Sequence, residues 1–246
     1  MTEAAVHLKP RENGGVDLVD FFRPYNYQND EGEDLGKWIY VCTLCKTTNT
    51  HLGSGGVSIL DPYFNSTSVA RIGTAAGKSH KLYVFDLANL GGYRQGLDET
   101  DSVLQTIPIG GDVYGGVGSY PLEGGYIYVG ALGQHLTAYK LNTTVEGRPQ
   151  FFLAGQSEAL IPEQLGSGIP TVSSYNEQPG TGIVWLTDAT EGLRAWHAVP
   201  GEDGLLKQID LPRVNGAMKY SRPAFGDRKV YVINAEGSVV CLGVKA

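Results

Sequence analysis

Three stretches of this chain can be laid over one another without a gap, and that repeat restricts the fold more than any other feature. They are YIYVGALGQHLTAYK from Tyr126, IVWLTDATEGLRAWH from Ile183 and KVYVINAEGSVVCLG from Lys229. In each, an aromatic residue (Tyr128, Trp185, Tyr231) stands just before an aliphatic one. Eight positions after the aromatic comes Leu136, Leu193 or Val239, and two further on a small residue, Ala138, Ala195 or Cys241. Two short alternating runs around a polar turn predict a β-hairpin in each copy. Gly133, Glu191-Gly192 and Glu236-Gly237 supply the positive φ that such turns require. A looser fourth copy is VARIGTAAGKSHKLYVFDL, from Val69.

A glycine-rich segment precedes each hairpin: LGSGGVSIL at Leu52, YGGVGSYPL at Tyr114, LGSGIPTVS at Leu165 and YSRPAFG at Tyr220. Such segments suit an innermost strand, where neighbouring backbones crowd together. VLQTIPI, QFFLAG and LLKQIDL are candidate outer strands. Trp185 follows Tyr128 by 57 residues and Tyr231 follows Trp185 by 46, close to the roughly 40–50 residues of a four-stranded propeller blade. The predicted fold is all-β, a β-propeller of four-stranded blades with about four blades present.

Composition agrees and removes several function classes. With 41% hydrophobic and 18% charged residues among 246, the chain can bury a sizeable core and is not of disordered type. No run of about 18 apolar residues is available to span a membrane. A formal net charge of −7, with no stripe of Lys and Arg, speaks against nucleic acid as a partner. The 34 Gly and 14 Tyr fit many tight turns rather than long helices.

The first residues, MTEAAVHLKPRENGG, carry no apolar core of a signal peptide, so a genuine start at Met1 implies a cytoplasmic protein. The sequons Asn65-Ser66-Thr67 and Asn142-Thr143-Thr144 point weakly the other way. Residues 1–15 are expected to be disordered and residues 16–246 to form the blades.

Cys42 and Cys45 form a C-x-x-C. A structural zinc needs four ligands, and only His51 is near, while Cys241 occupies a repeat position that calls for a small core residue. A redox pair needs a thioredoxin-like context, which is absent. Removing residues 37–53 leaves DEGEDLGSGGVSIL, a smooth entry into the first glycine-rich strand. Gly36-Lys37-Trp38 can be encoded by GTAAGTGG, Thr48-Asn49 by ACTAAC and Leu52-Gly53 across CTAG, matching a splice donor, branch site and acceptor. Residues 37–53 are therefore read as an insertion from a retained or mistranslated intron, lying on the surface, where added loop length costs only about 0.6 kcal/mol per doubling.

DLGSGG as it stands without residues 37–53, KLYVFDLANLGGY, GIVWLTD, GLRAW and RPAFGDRKVYVINAEGSVVCLG together resemble the quinoprotein (PQQ-like) β-propeller family, in its fungal-type members. The resemblance covers nearly the whole chain from about Val16. Members of that family carry more blades and enter secretion. The resemblance therefore implies that this chain is the C-terminal half of a larger propeller, with VDLVDFFRPYNYQ as the end of an earlier blade. An open half-ring exposes unpaired strand edges and so favours self-association.

The family's activity is PQQ-dependent dehydrogenation, with the quinone on the axis over a divalent cation held by carboxylate and amide oxygens, beside an aspartate base. Those residues do not carry over. Of the Ala-x-Asp…Gly…Trp signature, Ala138 and Ala195 match, but Lys140 and His197 replace the aspartate and no tryptophan follows. The vicinal cysteines of many such enzymes are missing too. PQQ with calcium is the cofactor implied, without its signature residues, so catalytic and cofactor-binding residues stay unassigned and no metal site is expected.

Other motifs yield little. GTAAGKS (Gly73 to Ser79) has three residues between its glycines where a phosphate-binding loop needs four, and a strand rather than a helix follows. It reads as a hairpin turn. His135 and His197 fall at non-equivalent repeat positions. NDEGED and DETD read as solvated loops, and Asp188 as a turn-capping carboxylate. The reading placed first is a scaffold that binds a small molecule or a protein. A tailoring enzyme using the propeller channel for a cyclisation, and a quinoprotein oxidoreductase, are the alternatives.

Overall fold

The computed structural model describes residues 4–26, 54–143, 147–163, 166–217 and 219–243. The ten-residue spacing between aromatic and small residue is the register of a hairpin. Tyr128 lies opposite Ala138, Trp185 opposite Ala195 and Tyr231 opposite Cys241. In the looser copy the pair is reversed, Ala75 facing Tyr83. A large ring beside a small side chain fills the space between strands without overpacking.

The chain opens with an antiparallel hairpin, β1 (Ala5–Pro10) and β2 (Val16–Arg23). Sheet one follows, with β3 (Val57–Ile59), β4 (Ile72–Ala76) and β5 (Lys81–Asp86). The chain then leaves as β6 (Gly92–Tyr93) to pair in parallel with β2, and returns as β7 (Gln105–Pro108) beside β5. Sheet two is β8 (Gly118–Tyr120), β9 (Tyr126–Gly130), β10 (His135–Thr143) and β11 (Pro149–Leu160). Sheet three is β12 (Thr171–Ser173), β13 (Ile183–Asp188) and β14 (Gly192–His197). From it β15 (Leu205–Leu206) leaves to pair in parallel with β11, before β16 (Gln208–Ile209) completes the sheet. Sheet four has β17 (Ala224–Gly226), β18 (Lys229–Ile233) and β19 (Val239–Gly243). The protein is all-β, built from antiparallel sheets whose strands lie in chain order apart from β6 and β15.

The central hairpins of sheets one to three are largely buried on both faces, which is why their strands read as near-continuous apolar runs, whereas β18 and β19 of sheet four bury one face only. Alternate residues of β5 serve two neighbours: Tyr83 and Phe85 pack on Phe22, while Leu82 and Val84 join Ile127, Val129 and Phe151 of sheet two. Tyr126 and Tyr128 turn instead towards Val184, Leu186 and Trp196 of sheet three, and Trp185 towards Val230 and Val232 of sheet four. Four apolar layers thus separate five successive strand groups.

Two expectations need correction. Residues 1–15 are not disordered as a whole, because residues 5–10 form β1. The strand pairs with β2 in a hairpin that is held to sheet one at long range: Phe22, fully buried on β2, packs 5.0 Å from the Tyr83 ring and 4.9 Å from Phe85. Moreover β6 pairs with β2 as β15 pairs with β11, so β1 and β2 occupy the places of third and fourth strands. LLKQIDL is not one outer strand but two, β15 and β16, because buried Leu206 belongs to the layer between sheets two and three. Cys42, Cys45 and the segment 37–53 lie outside the described residues. Among the described residues no helix is long and apolar enough to cross a membrane.

Candidate binding site where the first strands meet

The glycine-rich segments that open the four sheets converge, and their sequence is dictated by that contact. A Cβ on Gly168 would stand 2.0 Å from Thr187 Oγ1 and 2.3 Å from the Ser221 carbonyl oxygen. One on Gly55 would stand 1.5 Å from the Ala76 carbonyl oxygen. The segments are tied to one another through the backbone: Gly115 N–H donates to Ser54 O (2.9 Å) and Ile169 N–H to Ser221 O (3.1 Å). Hydroxyls complete the lacing. Ser58 Oγ accepts from Val117 N–H at 3.0 Å, and Ser54 Oγ donates to Val113 O at 2.9 Å.

A cavity of about 290 Å³ opens at this meeting point, lined by Gly55, Gly56, Ser58, Gly116, Tyr220 and Arg222, among others. Beside it stands an aromatic pair, Tyr114 and Tyr220, ring centroids 5.7 Å apart and edge to face. Lys219 Nζ lies 4.9 Å from the Tyr114 centroid and 5.7 Å from that of Tyr220, and Lys78 Nζ lies 5.6 Å from Tyr114. Lys78 is buried; its charge is stabilised by the ring face. Arg222 is exposed. Three cations from sheets one and four thus gather at one end of the strands.

Asp112 is the carboxylate here, and it is engaged. Its Oδ1 lies 3.0 Å from His80 Nε2, and its Oδ2 accepts from the Tyr114 hydroxyl at 3.4 Å. Burial, then the Asp112 charge and Tyr220, push the Tyr114 phenol up from its ordinary range. Tyr114 is therefore held as a neutral donor, not as a base or nucleophile. The arrangement can bind and orient an anion through ammonium and guanidinium groups.

The residues singled out from sequence are dispersed. GTAAGKS runs from β4 into a turn, as expected, with His80 at φ 55°; the fold nonetheless delivers its Lys78 to this site. His135 opens β10 and His197 closes β14, at opposite strand ends in different sheets. Lys140 lies 5.2 Å over the Tyr126 ring, and His197 is exposed opposite Ile183. Asp188 does cap its turn, its Oδ1 accepting from the N–H groups of Thr190 (2.9 Å) and Glu191 (2.6 Å). DETD is an exposed loop, in which Asp101 Oδ1 accepts from Tyr25 N–H; NDEGED lies outside the described residues. Tyr114, Lys219, Tyr220 and Arg222 were not singled out. One signal was available: two of the four glycine-rich segments open on tyrosine.

Among the described residues no group of three or more His, Cys, Asp or Glu is placed to hold a metal ion. Compared with known proteins, the chain matches no protein-family model and no curated protein sequence.

Proposed function

We propose that the chain is a PQQ-like β-propeller, or part of a larger one, acting as a scaffold that binds a small anion where its first strands meet. Support for the architecture comes from consecutive antiparallel sheets with shared apolar layers and with first strands crowded onto glycine. The observation that carries the ligand class is Arg222 in the wall of that glycine-lined cavity, with Lys219 and Lys78 over the Tyr114–Tyr220 pair beside it, in a chain of net charge −7.

A PQQ–calcium centre does not fit the residues present. Calcium needs several oxygen ligands, but the carboxylate of Asp112 is held by His80 and Tyr114, and Trp185 and Trp196 lie in the layers around sheet three. Binding without redox chemistry is therefore the function proposed.

Calorimetric titration with small di- and tricarboxylates and with inorganic phosphate tests it. A saturable site of about one per chain is expected, weakened about tenfold or more in Arg222→Gln and in Lys219→Gln. Anion binding that is absent, or unaltered in both variants, refutes the reading.

A further inference from the structure

At the opposite ends of the strands, sheets three and four part around a cavity of about 670 Å³. Its walls are apolar and aromatic. The Trp185 indole N–H is satisfied by Ser173 Oγ at 2.8 Å, which fixes the ring, and the Phe225 ring stands 5.8 Å away at 56°. Ile183, Leu211 and Leu242 extend the lining. Pockets of this size and character take drug-sized molecules.

The mouth is charged. Arg228, on the turn from β17 to β18, and Lys229, the first residue of β18, are exposed and border the cavity. Among the described residues neither forms an ion pair. Two cations outside any ion pair, against the neighbouring carboxylate of Asp227, at the rim of an apolar and aromatic cavity, define a ligand with complementary parts. Pairing this face with its own copy would set like charges together, which opposes that occupant.

We propose that this cavity binds an amphipathic small anion, with its flat or aliphatic body against the wall that Trp185, Phe225 and Leu242 form and its carboxylate or sulfonate group at Arg228 and Lys229. The site shares no residue with the glycine-lined one, and either can exist without the other.

The test is a fluorescence titration of the full chain with anilinonaphthalene sulfonate and with uncharged phenylnaphthylamine. One saturable site is expected, about tenfold tighter for the sulfonate at low salt, with the difference shrinking as salt is raised. The double substitution Arg228→Gln/Lys229→Gln should equalise the two probes without moving the urea midpoint, and Phe225→Ala should weaken both. Arg222→Gln should bind both as the parent chain does. Equal affinity for the two probes in the parent chain overturns the proposal, as does a double variant that still prefers the sulfonate. Sedimentation showing this face covered by a second copy overturns it as well.

Discussion

Asp188 and Arg194 offer the sharpest test of how the sheets are held. Asp188 is fully buried and Arg194 only 7% exposed, on adjacent strands β13 and β14. Arg194 Nη2 stands 2.9 Å from Asp188 Oδ2, close enough for an ion pair though not aligned as a hydrogen bond. Nη1 donates to Leu160 O at 3.2 Å, and the guanidinium lies 5.2 Å over the Trp196 ring. Breaking a buried pair by removing one partner costs about 3–5 kcal/mol, because the survivor is left charged without compensation. Asp188→Ala also strips two backbone N–H groups of their acceptor and belongs at the upper end of that range. Asp188→Asn keeps an acceptor for the turn and should lose about 3 kcal/mol. Arg194→Met should lose less than Asp188→Ala, since the remaining carboxylate keeps its two N–H donors. The double variant Asp188→Asn/Arg194→Met should be more stable than the sum of the singles by about 1–3 kcal/mol. Urea unfolding with unchanged slope measures all of these. Single losses below about 1 kcal/mol that simply add would mean that the pair is effectively solvated, and would refute the reasoning.

Three further outcomes are expected. Gly168→Ala should destabilise by about 2 kcal/mol or more and weaken anion binding at the glycine-lined cavity, because its methyl meets Thr187 and the Ser221 backbone; wild-type melting and binding would contradict the close approach. Phe22→Ala should cost about 3–5 kcal/mol and open residues 4–23 to protease; a variant as resistant as the parent would mean that the N-terminal hairpin is not docked on Tyr83 and Phe85. In alkali, stability should fall above pH 10. Burial, then the hydrogen bond to Glu123, pushes Tyr120 up to about 12, and burial raises Tyr128 as well. Both hold their protons in the folded state after the unfolded chain has released them, so their contribution is present below pH 10 and lost as pH rises towards 12. Tyr120→Phe should flatten that limb of the pH–stability curve, and an unchanged curve would count against the assignment.

The parts of the molecule legible from sequence are those that local geometry specifies. The aromatic and small residues ten apart, with glycine or an acidic–glycine pair between, encode hairpins because cross-strand partners in a hairpin are near in sequence. The glycine-rich first strands were legible for a related reason: a residue with no side chain signals that another backbone comes close, although not which one. LLKQIDL reads as a single outer strand because the partner of its first half, β11, is distant in sequence; residues 5–10 were legible in principle, since β2 follows after only five residues. Nothing local tells Leu205 and Leu206 to join β11, whereas the alternation of Val6 and Leu8 with His7 and Lys9, followed by Asn13-Gly14-Gly15, is a local hairpin signal.

The residues of the proposed anion site stand at the far end of that scale. Lys78 comes from what looks like a failed phosphate loop, Tyr114 from the entry to sheet two, and Lys219 and Arg222 from the entry to sheet four. Arg222 follows Lys78 by 144 residues. The repeat alone dictates that each sheet exists and which face of each strand is apolar. Stacking the sheets then brings the turn ends and strand starts of non-neighbouring units to one place. Charges drawn from the first and fourth repeats come together only there, because Coulomb and cation–π attractions act over a few ångströms of space and are indifferent to separation along the chain.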